Sequence, residues 1–142
     1  MLMLYHLDDR PAAFAEIRRV LREGGRLYAP TMGRAHMREL REIAGRVFGA
    51  NRVANAAERS GLETGYDQLK AAFPNVEVKR HQNSMLVTDS EPVIDYFLST
   101  ARMRQVPPPS LLDRVRVELD REIAAQNGIA VSSDFGVLIA RP

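Results

Sequence analysis

Apolar residues recur at helical spacing at Phe14, Ile17, Val20 and Leu21, while Arg18, Arg19, Arg22 and Glu23 face the other way. Asp8 and Asp9 precede this stripe and offer N-cap oxygens, and Pro11 suits a first helical turn. Gly24-Gly25 is expected to stop the helix, since glycine enters the left-handed region without a Cβ penalty. Arg26 to Thr31 then reads as a strand, with Leu27 and Ala29 on one face.

The same reading extends down the chain. Arg34 to Phe48 predicts a helix with Met37, Leu40, Ile43, Ala44 and Val47 on its apolar face. Asn51 to Gly61 is small and polar, a loop or a short helix. Thr64 is placed to cap a helix to Phe73, with Leu69, Ala72 and Phe73 inward and Pro74 ending it. Val76 to Lys79 alternates as a strand does; Met85 to Val87 is a second strand or the far end of the same one. Asp89 or Ser90 caps a further helix with Val93, Ile94, Phe97 and Leu98 on its core side. Val106 to Pro109 is a stiff link, and Ser110 with Asp113 resembles a capping box opening a helix that carries Leu112, Val115, Leu119 and Ile123 to Asn127-Gly128. Ile129 to Val131 and Val137 to Ala140 are expected as two strands of a hairpin around residues 132–136.

Composition narrows the function. At 142 residues and 45% hydrophobic, the chain can build one domain with a real core, and 1–142 reads as a single domain. Arginines alternate with glutamates in helices and the formal charge is only +2, which argues for solvated faces and against a nucleic-acid partner. Without cysteine there is no disulfide, thiolate catalysis or cysteine zinc site. Three scattered histidines without metal-ligand spacing predict no metal. No apolar run reaches spanning length and no signal peptide is evident, so the expectation is a cytoplasmic protein with no membrane partner.

The run LYHLDD…AFAEIRRVLREGGRLY resembles the segment after the fourth strand of class I S-adenosylmethionine-dependent methyltransferases. There the pattern is a hydrophobic pair, a histidine, a short acidic loop and EI.RVL.PGG.L. Glu16, Ile17, Arg19, Val20, Leu21, Gly24, Gly25 and Leu27 match, and Glu23 stands where proline is usual. VTDSEPVIDYFLS and SDFGVLIARP resemble parts of the C-terminal half of such enzymes. The fold this implies is α/β: the C-terminal half of a doubly wound, Rossmann-like methyltransferase fold, with a mixed sheet of about four strands and an antiparallel C-terminal hairpin. The glycine-rich cofactor loop and the acidic ribose-binding residue of the first half are not in this chain, which reads as a truncated enzyme.

The resemblance also assigns candidate residues. His6, at an expected strand end, is the candidate catalytic base or orienter, since imidazole titrates near neutrality. Leu4 and Tyr5 are the candidate cofactor contacts, and Thr31 and Met32 the candidate substrate contacts. The competing readings are that Tyr5 and His6 cap or pack under the helix, and that residues 31–33 form a turn in which Gly33 permits positive φ. His36 is expected at the surface and His81 in a solvated bend. The implied cofactor is S-adenosylmethionine and the implied reaction is methyl transfer to a small-molecule acceptor; the rival is a non-catalytic remnant that self-associates. A half-sheet leaves an open edge, so a homodimer is expected, with the Met1–Tyr5 end and the apolar side of the first helix in the interface.

Overall fold

A computed structural model describes residues 4–49, 57–99 and 107–142. The apolar residues 1–3, most of the 51–61 stretch and the start of the 106–109 link lie outside them. The chain runs through a 3₁₀ turn at Leu4–His6, α1 (Arg10–Val20), β1 (Leu27–Met32), α2 (Arg38–Phe48), α3 (Ala57–Ser60), α4 (Leu62–Lys70), β2 (Asn75–Val87), α5 (Glu91–Ser99), α6 (Pro109–Gln126) and β3 (Ile129–Arg141). The fold is mixed α/β with one three-stranded sheet, ordered β1-β3-β2. β1 pairs antiparallel with β3 in the register Leu27↔Ala140 to Met32↔Phe135. Gly136 approaches Lys79 and Arg80, and Gly128 approaches Leu86 and Val87, so β2 also runs against β3. A fourth strand is not seen among the described residues.

Residues 1–36, 55–83 and 133–142 form one compact unit, and 37–54 and 84–132 a second. The units interleave in sequence, so no single cut divides them. In the first, Phe14, Ala29, Leu62, Leu69, Phe73, Leu138 and Ala140 make the core. In the second, Leu40, Ile43 and Ala44 of α2 pack with residues of α5, Val115 and Leu119 of α6, and Ile129 and Val131.

Local chemistry explains most element limits. Asp9 caps α1, its Oδ1 accepting the Ala12 N–H at 2.9 Å, with Pro11 in the first turn. In α4 the Thr64 hydroxyl accepts the Gly61 N–H at 2.9 Å and donates to the Ala57 carbonyl at 2.8 Å. Asp89 Oδ1 accepts the Glu91 N–H at 2.9 Å and opens α5. α6 ends on Asn127 in the left-handed conformation, followed by Gly128. Pro30 sits inside β1, which is tolerable because β1 lies at the edge of the sheet.

Several expectations need correction. α1 ends at Val20, before the double glycine; Leu21 turns extended to reach the core, and Gly24, at φ 72°, serves the turn that follows. Val20, a member of the apolar stripe, is 59% exposed. α2 begins at Arg38, four residues late, because residues 34–37 form a turn closed by Met37 in the left-handed region. Leu98 is exposed. α6 opens at Pro109, with Pro108 at the cap position and no side-chain cap bond, so Ser110 heads no capping box. β2 is one continuous strand that includes His81, which is exposed but not in a bend.

The C-terminal hairpin is also absent: Ile129–Arg141 is a single strand. Its buried positions lose strict alternation, running from Ile129 and Val131 to Asp134 and then to Leu138, Ile139 and Ala140 in succession. That phase break, among two serines, reads in sequence as a turn.

Candidate functional site

The carboxyl end of β1 collects the chemistry of the first unit. The short helix α3 packs against both the Leu4–His6 turn and β1, so the candidate cofactor and substrate segments flank one helix. His6 is exposed, and Leu4 is half-buried against the first unit's core. Tyr5 lies in the same turn, but its side chain is outside the described set. Thr31 is buried, and its hydroxyl donates to the Ser60 carbonyl at 2.8 Å. Met32 is half-buried and paired with Phe135. Both lie within β1 itself rather than in a loop after it.

Beyond Met32 stands a polar cluster that sequence reasoning missed. Asp134, only 1% exposed, receives Arg80 in a bidentate fork, Nε to Oδ1 at 2.7 Å and Nη2 to Oδ2 at 2.6 Å. The Ala35 N–H and the Gln82 side chain also bond its carboxylate. Arg80 reaches Glu63 at 3.0 Å, and Glu63 in turn accepts the Arg34 N–H at 3.2 Å. Arg80 lowers the Asp134 carboxyl below its ordinary range despite burial, and Asp134 raises the already high value of Arg80.

Two expectations fail here. His36 is buried, not at the surface: its Nδ1 accepts the Asp134 N–H at 3.4 Å and its ring lies 4.2 Å from that of Phe135. Gly33 has no positive φ. It must be glycine because a Cβ would overlap the Asp134 carboxylate, while its own N–H donates to the Asp134 carbonyl at 2.9 Å. One sequence signal was available: an acid inside the otherwise apolar run SDFGVLIA calls for a buried cation, and Arg80 is the match across 54 positions.

The arrangement sorts the groups by what they can do. Asp134 is ionised with its oxygens engaged, so it holds the end of β1 rather than accepting protons. His6 is exposed in the turn beside α3. Among the described residues no three His, Asp or Glu side chains are placed to hold a metal ion. No described helix is long and apolar enough to cross a membrane.

Comparison with known families touches one end of the chain. Residues 1–29 match the model of a methyltransferase domain, a family that depends on S-adenosylmethionine in general. The match contains the 3₁₀ turn, α1 and the first half of β1. The stretches at 87–99 and 133–142 lie outside it. A search of curated proteins finds no significant match.

Proposed function

We propose that the chain contributes the acceptor side of an S-adenosylmethionine-dependent methyltransferase acting on a small-molecule acceptor. The observation that carries this is the placement of the methyltransferase-matched turn Leu4–His6 and the end of β1 against the same helix, α3. In an open α/β sheet, ligands bind outside the carboxyl ends of the strands. The doubly wound parent layout belongs to this same proposal.

The residues present fit one wall of the cofactor. Leu4 offers a half-buried apolar contact and His6 an imidazole beside it. A ribose diol calls for a carboxylate and an amino-acid carboxylate for a cation, and the turn itself carries neither. The cofactor, when bound, supplies an activated methyl group with its own leaving group, so the protein's part is alignment and exclusion of water. His6 would orient the acceptor or take its proton, and Met32 would shape the acceptor side. Thr31, committed to the Ser60 carbonyl, would fix the strand end rather than touch substrate.

Calorimetry and amide chemical shifts test this together. Weak binding is expected, with millimolar cofactor shifting residues 4–6 and 31–33. No shift at millimolar cofactor would sink the reading, and micromolar one-to-one binding would show a far more complete cofactor site than proposed.

A second reading, a self-associating module, rests on the open edge of β1, where Tyr28 is 58% exposed. The apolar side of α1 is turned inward onto Phe14's core, so an isologous dimer would use Tyr28 and exposed Val20 instead. Light scattering at low micromolar concentration decides it: a monomer mass that persists as concentration rises removes this reading.

A further inference from the structure

α1 and the end of α4 border a groove of about 850 Å³ in the first unit. Its floor is apolar and its rim cationic. Phe14, 1% exposed, lies at the bottom, and the small side chains of Ala15 and Ala71 keep the walls low. Arg10 stands at one end of the α1 wall, and Arg18 and Arg19 at the other. None of the described lining residues is acidic.

The three guanidinium groups are partly committed. Arg10 donates to the Leu7 carbonyl at 2.6 Å, Arg18 to the Ala72 carbonyl at 2.9 Å, and Arg19 forks onto Glu16 at 2.8 and 2.6 Å. Each carries five N–H donors, so each keeps donors to spare. With a rise of 1.5 Å per residue, the two ends of the arginine pattern stand about 12 Å apart along α1.

That spacing selects the occupant. A single-headed anion would engage one station and leave the other solvated. A helix has the same rise as α1, so acidic side chains eight positions apart along it meet both stations, with apolar residues between them on the floor. The low alanine walls let a helix axis come close. We infer that this groove docks an amphipathic α-helix of a partner protein, with an apolar stripe bracketed by Asp or Glu two turns apart.

Fluorescence anisotropy with a labelled helical peptide tests this, using leucines at i, i+3 and i+4 bracketed by glutamates at i−1 and i+7. A control peptide carries lysines in their place. The glutamate peptide should bind saturably and the lysine peptide at least about tenfold more weakly. Arg10→Glu with Arg19→Glu should weaken the glutamate peptide by about tenfold or more, and added salt should do so progressively. Ala15→Arg, at an exposed position, should raise the wall over the groove and abolish binding without lowering the melting temperature. Equal binding of both peptides, or indifference to both variants, overturns the inference. A homodimer that Ala15→Arg dissolves, without peptide binding, assigns the groove to a second copy and overturns it too. Dodecanoate binding lost in both variants, with no peptide binding, assigns it to a single-headed anion, with the same result.

Discussion

At the scale of residues, the Gly33–Asp134–Arg80 contact is the most constrained point of the first unit. Gly33→Ala places a methyl where the carboxylate sits and should cost about 1–3 kcal/mol in urea unfolding. A variant with a stability equal to the wild type would show that the carboxylate can move aside. Asp134 also predicts an acid response. Its carboxyl lies below the ordinary value of 3.8 in the folded chain, so its stabilisation is complete above that value and is lost as pH falls through the folded one. Asp134→Asn should be less stable near neutrality, and its melting temperature should fall less than the wild type's between about pH 6 and pH 3. Parallel pH profiles would refute this. Little of this contact was legible in the sequence. A glycine after a strand suggests a turn, and only the approach of Asp134 from 101 positions away shows that the missing Cβ, not the backbone angle, is what matters.

At the scale of elements, α1 is a graded test of packing. Phe14→Ala should cost about 3–5 kcal/mol. Ile17, half-buried against the same core, should cost about 2 kcal/mol when cut to alanine. Val20→Ala should stay within about 0.5 kcal/mol, and a larger loss would mean that Val20 is covered in solution. Chemical denaturation of the three variants gives the order. The helical period showed α1, α2, α4, α5 and α6, because 3.6-residue spacing survives whatever a helix packs against. It misplaced Val20 because the period shows a face but not how far that face is covered. β3 was misread because strand alternation carries no signal through a change of phase, and β2 reads as either one strand or two because its middle is polar and exposed.

At the scale of the molecule, the methyltransferase likeness was legible in one continuous run, and the family match falls on that run, 29 of 142 residues. The interleaving of two units was not legible, since it depends on pairings between distant segments rather than on local pattern. Those pairings have a consequence in time. Leu27 to Met32 finds its partner at 135–140, near the other end of the sequence. A ribosome adding about 5–20 residues per second needs on the order of ten seconds to make the intervening chain. Throughout that interval β1 has no β3 beside it, and an unpaired strand is the kind of segment that finds the wrong neighbour. Pro30, in the middle of β1, takes one donor out of any ladder that a wandering chain could form with it. The proline that the finished edge merely tolerates thus acts earliest as a guard on the nascent chain, and Pro30→Val should leave the folded protein standing while lowering its soluble yield during synthesis.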